Sequence, residues 1–345
     1  MFQLCVWPGV LGRRTAIVFP LGLVSLLPNP TSGQTNTGLL TDPWDEAPRG
    51  RAFVDTFGQS TSDDVNGDSF NLVVGRTKSR WALASAPLDA NPRAGGPLGI
   101  PVFGHELVVV DLGGEAPGRP PRLVRQEAAL GLPLGEVTLF GGPWQAGAAL
   151  GFGHASSNPH GDDQGWYGLG SVFAQRPLPD GATLLIGLIH DGNRSVLPDV
   201  PLPIVAYRRS LGDTGELGLT IGYPQSRVIY RPDRRLTFSA GIDRLDVFTG
   251  EARYQLEPAW EGFVQYAAFY DQFHDADANN DRFFLFSQRV EAGVVWAFAD
   301  GLRARVSGGY AFGQELRRGF DFGSTDRVLE FDDAPFLRVG GSFRF

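Results

Sequence analysis

His154 and Ser156 stand two residues apart in the segment Phe152-Gly153-His154-Ala155-Ser156-Ser157-Asn158. Residues two apart on a β-strand share a face. A histidine beside a serine can take the hydroxyl proton and leave a nucleophilic oxygen, provided that a third polar group orients the imidazole. Two positions along a strand are about 6.6 Å apart at the backbone, so the side chains must lean together. The sequence names no third partner. Gly151, Phe152 and Gly153 suit an ordinary strand, and a polar strand end entering the loop 155–164 is the simpler reading.

Oxygen ligands concentrate in His274-Asp275-Ala276-Asp277-Ala278-Asn279-Asn280-Asp281. Asp275, Asp277 and Asn279 fit the opening of a calcium loop. The glycine required at the sixth place is Asn280 and the acid at the twelfth is Phe286, so the EF-hand pattern fails. A solvated acidic loop is expected, with a loose divalent-cation site as the alternative. His105, His160 and His190 stand alone. Phosphate loop, zinc histidine pair and nucleophile elbow do not occur, and no cofactor is implied.

The elements that hold these residues read in period two. In 235–243, Leu236, Phe238, Ala240 and Ile242 oppose Arg235, Thr237, Ser239 and Asp243. In 288–298, Val290, Ala292, Val294, Trp296 and Phe298 oppose Arg289, Glu291, Gly293 and Val295. The same alternation runs through 251–257, 260–271 and 301–312. Weaker strands are expected at 51–57, 68–76, 103–112, 134–141, 144–154, 165–175, 182–190, 201–209 and 215–222, the last ended by Tyr223-Pro224. Tight connections, Glu257-Pro258-Ala259 and Asp300-Gly301, alternate with long polar ones at 272–282 and 313–333. Residues 86–101 and 113–122 are rich in Pro and Gly and read as loops.

The chain has 345 residues, a net charge of -8, 20% charged residues, 46 Gly, 25 Phe, one Met and one Cys. The charge argues against nucleic-acid binding, and the composition excludes a disordered chain. Arg13 and Arg14 precede the apolar run Thr15–Leu27, which is too short to span a bilayer, and small residues follow to Gly33. This predicts a secretory signal peptide over 1–33, a polar segment over 34–50 and one domain over 51–345. Cys5 leaves with the signal. No later apolar stretch approaches 18 residues, so an integral membrane form must be a barrel.

Residues 336–345, FLRVGGSFRF, place Leu337, Val339, Gly341, Phe343 and Phe345 on one face. A last strand ending in Phe resembles the tag of Gram-negative outer-membrane barrels. That resemblance implies a cell outer membrane location, the lipid bilayer and the barrel-insertion machinery as partners, and Phe343 and Phe345 as the insertion signal. The expected fold is therefore all-β: a closed antiparallel transmembrane β-barrel of about 12 strands, with 10–14 as the range. The figure comes from about 25 residues per strand and connection, so some first-half segments merge. A secreted β-sandwich that binds a ligand is the alternative.

In a barrel, Arg289, Glu291, Arg303, Arg305, Arg338 and Arg344 face the lumen, with Glu251, Glu257, Glu261 and Asp271 nearby. Such a face either selects or repels solutes, or pairs across strands and fills a narrow interior.

Two further resemblances apply. Gly222-Tyr223-Pro224, Val228-Ile229-Tyr230-Arg231-Pro232, Asn280-Asp281-Arg282-Phe283-Phe284, Gly308-Gly309-Tyr310-Ala311-Phe312 and Asp333-Ala334-Pro335-Phe336 resemble an uncharacterised family of outer-membrane barrels found mainly in planctomycetes. It implies the fold and no chemistry. The His154/Ser156 pair is similar to that of outer-membrane phospholipases and lipid A deacylases, with Ser157 as an extra residue before Asn158. The function expected is a non-enzymatic outer-membrane barrel, either a passive small-solute channel or a structural envelope protein, with the lipid hydrolase as the alternative.

Overall fold

The computed structural model describes residues 51–62, 69–83, 101–113, 119–158, 161–195, 197, 199–212, 215–243, 247–277, 281–320 and 323–344. The expected signal peptide, the segment 34–50, Asn279 and Phe345 lie outside the described residues.

The strands are β1 Arg51–Ser62, β2 Ser69–Ala82, β3 Val102–Gly113, β4 Arg122–Leu139, β5 Gly142–Ser156, β6 Trp166–Pro177, β7 Thr183–Asp191, β8 Leu202–Leu211, β9 Leu217–Tyr223, β10 Gln225–Tyr230, β11 Leu236–Asp243, β12 Val247–Glu257, β13 Trp260–His274, β14 Arg282–Ala299, β15 Leu302–Gly319, β16 Thr325–Phe331 and β17 Ala334–Arg344. From β1 to β15 each pairs antiparallel with the next. β16 and β17 follow one another along the same side of β15, as one stave in two pieces. β17 then pairs with β1, from Arg344 opposite Arg51 to Phe336 opposite Gln59. The sheet is a closed antiparallel β-barrel.

It has 16 staves rather than about 12. Apart from the connection between β2 and β3, the turns at one end are short, so most staves use fewer residues than the expected allotment. Phe140 and Gly141 both take positive φ, at 50° and 73°, the pattern of a two-residue hairpin turn whose twist matches its strands. Gly301 at φ 78° follows Asp300 beside a register shift between Ala297 and Ala299. The strand expected at 134–141 is the end of a longer one: β4 starts at Arg122 and is continuous to Leu139 apart from a bulge between Pro133 and Gly135. One expected loop is corrected: residues 313–333 carry the end of β15 and all of β16. Of the polar stretch 272–282, residues 272–274 belong to β13 and Arg282 to β14.

The outer face of the wall is apolar and exposed: Leu150, Val172, Val205, Val264, Val294 and Val339 all point outward. Trp260 stacks on Trp296 at 5.4 Å near the turn end, with Phe298 beside them. The strands differ in length around the wall. β9, β10 and β11 have 7, 6 and 8 residues, whereas β13, β14 and β15 have 15, 18 and 18. The wall is therefore low at β9–β11 and tall at β13–β15, with β12 between them.

The tall side ends in a leaf. β12 pairs with β13 only up to Phe248 opposite Ala268, so β13 above Ala268 pairs with β14 alone within the wall. At the other border β16 pairs with β15 and not with β1, among the described residues. The upper parts of β13 to β16 thus form a four-stranded leaf with no ladder to the wall at either side. It leans across the lumen.

Candidate functional site: the lumen and its closure

The leaf lands on the opposite wall. His274 at the end of β13 forms a parallel bridge with Ser156 at the end of β5. The Ser157 amide donates to the His274 carbonyl at 2.9 Å, and the Ala276 amide to Ser157 Oγ at 3.0 Å. The connection after β7 reaches the same place. Asn193 Nδ2 donates to the Gln272 carbonyl at 3.2 Å, and an Arg282 guanidinium nitrogen donates to the Gly192 carbonyl at 3.2 Å. Arg194 ties that connection into a turn through the carbonyls of Leu197 and Val200.

The His154/Ser156 pair sits inside this contact. Ser156 is fully buried, and its Oγ donates to Asp162 Oδ2 at 2.5 Å rather than to the histidine. His154 Nε2 lies 2.9 Å from the Asp162 carbonyl, and its ring packs edge-on against Trp166. His274 Nδ1 shares the same Asp162 carboxylate at 2.7 Å. Burial pushes the Asp162 carboxyl up, but hydrogen bonds from Ser156, His274 and the Gln164 amide outweigh it and hold it below the usual aspartate value. Ser156 thus serves as a hydrogen-bond donor within a clasp, its proton directed at the Asp162 carboxylate and not at His154. Asp275 is also buried, ion-paired with Arg318 at 2.5 Å and accepting the Asp277 amide. No group of three metal-ligating side chains occurs among the described residues.

Beneath the leaf lies an apolar layer. Phe273, Phe283 and Leu285 from the leaf cluster with Val108, Val110, Leu112, Leu123 and Ala155 from the facing wall. Below it lies a charged belt from opposing walls. Arg125, 1% exposed, donates to Asp271 Oδ1 at 2.7 Å across the lumen, and Arg76 reaches both Asp271 oxygens at 2.9 and 3.1 Å. Arg125 also meets Glu106 at 3.4 Å and Glu127 at 3.6 Å. Glu106 and Glu127 stand directly opposite each other in register, both fully buried. Tyr167 donates to Glu127 at 2.6 Å. Its ring crosses Gly153, where any Cβ would strike it at 2.3 Å, so glycine on β5 opens the path from β6 to β4.

A second belt lies nearer the turn end and gathers residues read from the sequence. Glu291 accepts from Arg305, from Arg338 at 3.0 Å and from Ser307 at 3.3 Å. Arg305 also donates to Gln265 and lies over the Phe263 ring at 4.0 Å. Arg253 pairs with Glu251 and with Glu261, the latter at 3.0 Å. Arg289 stands apart from this group, over the Phe57 ring at 4.4 Å. Arg303 is exposed near the turn end, and Arg344 holds the last β17 position opposite Arg51. Arg76, Glu106, Arg125, Glu127 and Tyr167 were not anticipated. Leu123, Arg125, Glu127 and Ala129 share the buried face of β4, but two charges among them mask the apolar alternation, and the stretch 123–133 has no assignment from the sequence.

No protein-family model and no curated protein matches the chain, so the planctomycete resemblance has no such match behind it. Solved structures similar to the chain are outer-membrane barrel proteins. An outer-membrane channel from Pseudomonas putida F1 is 11% identical, with 87% of this chain and 96% of that one covered and a TM-score of 0.34. The outer-membrane protein Omp33 of Acinetobacter baumannii is 7% identical, over 87% of this chain and all of that one, at 0.35. The Pseudomonas putida toluene transporter TodX is 11% identical over 93% and 96%, at 0.33.

Proposed function

We propose that this chain is an outer-membrane barrel acting as a passive channel for small polar solutes, held shut in the state described. The carrying observation is the belt of buried ion pairs between opposing walls, Arg125 and Arg76 on Asp271. Well-packed apolar side chains stabilise an interior as well as buried ion pairs do, or better. A barrel that is only a structural element gains little from such a belt. A lumen that must pass water and polar solutes when open needs charged side chains on its walls. Because Arg and Glu alternate in both belts, charge selectivity should be weak.

The experiment is conductance of the purified protein in planar bilayers, wild type beside Asp271→Ala. The variant removes the acceptor that joins β2 and β4 to β13. Brief openings in the wild type and higher open occupancy in Asp271→Ala support the channel. Silence in both supports the structural envelope protein instead. The reading also takes the lipid bilayer and the insertion machinery as partners, with Phe343 and Phe345 as the recognised end.

A further inference from the structure

We propose that the leaf formed by the upper parts of β13 to β16 is a gate that swings off the β5 end to open the lumen. This rests on the channel reading above. The leaf has a hinge line. On β13 it begins at Ala268, the last residue paired to β12. On β14 and β15 the register breaks between Phe286 and Gln288, opposite Phe312 and Glu315. On the next stave β16 ends and β17 begins across Asp332 and Asp333. These breaks form one row across four strands. Bulges bend and twist strands where they occur, and Gly313 within the row has φ of +55°, a conformation suited to glycine.

Above the row the leaf is a unit: β13 and β14 pair without interruption up to His274 opposite Arg282. Neither border is paired to the wall in a β-ladder, among the described residues. What holds it down is the clasp on Asp162, the Asn193 and Arg282 hydrogen bonds, the Asp271 ion pairs with Arg76 and Arg125, the Gln59–Gln314 hydrogen bond and the apolar underside. These contacts are side-chain made, apart from the short β5 bridge, and can be released without breaking a β-ladder of the barrel.

The test uses Ser157→Cys with Ala276→Cys, in a Cys5→Ser background. Ser157 Oγ and the Ala276 amide are 3.0 Å apart, close enough for a disulfide to seal the leaf. The oxidised protein should lose conductance, and dithiothreitol should restore it. Equal conductance in both forms overturns the gate. A second measurement does not depend on conductance: spin labels at Gln164→Cys and Asp277→Cys report the distance between the wall and the leaf. A short and a long distance are expected, the long one growing in Asp162→Ala. One short distance, unchanged in Asp162→Ala, also overturns the gate. A long distance in a protein that never conducts overturns the channel reading, and the gate with it.

Discussion

Asp271 and Glu106 carry the same charge in the same belt, yet their removal should have opposite consequences. Asp271 accepts from two arginines, and Arg125 has almost no water to turn to. Leaving a buried charge unpaired costs about 3–5 kcal/mol. Asp271→Asn should therefore lower the unfolding midpoint in detergent. Glu106 faces Glu127 directly, and like charges opposite each other on a sheet destabilise it. Glu106→Gln should leave the midpoint unchanged or raise it. Equal losses in both variants would show that the belt acts by packing alone. The clasp makes a pH prediction. The Asp162 carboxyl is held below the usual aspartate range, so the clasp's contribution is complete above that range and is lost as pH falls through the lower folded value. Spin-label distances across the clasp should stay constant from neutral pH down to about 4 and lengthen only below it. Ser156→Ala should release no activity change, because purified protein should not hydrolyse phospholipid or lipid A at all. Fatty-acid release that disappears in Ser156→Ala would restore the hydrolase.

At the scale of elements, close packing inside the tall wall depends on missing side chains. A Cβ on Gly309 would meet the Val290 carbonyl at 2.1 Å and the Phe336 ring at 2.8 Å. Gly309→Val should therefore reduce the yield of folded barrel, whereas valine at Gly75, where nothing lies within 4 Å, should be tolerated. Band shift on unboiled gels measures both. Much of the wall was legible from period two alone. The fifteen alternating segments read from the chain fall on all the staves but one; β10, six residues behind a proline, was missed, as was β16 within its stave. The count of twelve came from dividing length by an average, which the tight turns of this barrel undercut. The leaf was not legible. Glu315, Arg317, Arg318, Arg327 and Glu330 give β15 and β16 a polar surface on both sides, as suits strands away from lipid, and a hydropathy pattern cannot separate such strands from a loop. The charged residues of β14 and β15 could be placed inside the barrel, because each has an apolar neighbour facing out. Which of them meet could not, because Asp271 finds Arg125 across the lumen, 146 positions away in the chain.

For the whole molecule, closure of β17 on β1 joins the lower wall into one continuous ring, and cooperative unfolding should follow. The unboiled protein should migrate apart from the boiled chain on a gel as a single band. Solubility without detergent after export would instead favour a secreted sandwich. Phe345→Asp should lower the amount that reaches the outer membrane more than it lowers the stability of what does. Equal amounts of variant and wild type in the membrane would count against an insertion signal at that end.

In the outer-membrane reading proposed above, the low side of the wall has a consequence for the lipid around it. At about 3.4 Å per residue and a tilt of about 45°, the six to eight residues of β9, β10 and β11 rise roughly 14–19 Å. The apolar band of an outer-membrane barrel is about 25 Å tall. Lipid against this side is thus too thick for the protein it touches, while lipid against β13 to β15 is not. Either the leaflets dimple along β9–β11, or the barrel axis tips toward that side, each at fractions of a kcal/mol per Å. In a bilayer the molecule should therefore favour thin membranes, and thicker ones should make it lean or thin the lipid beside β9–β11. Reconstitution into bilayers of increasing acyl length should show a growing tilt by oriented infrared dichroism. A tilt independent of thickness would mean that the dimple absorbs the whole mismatch.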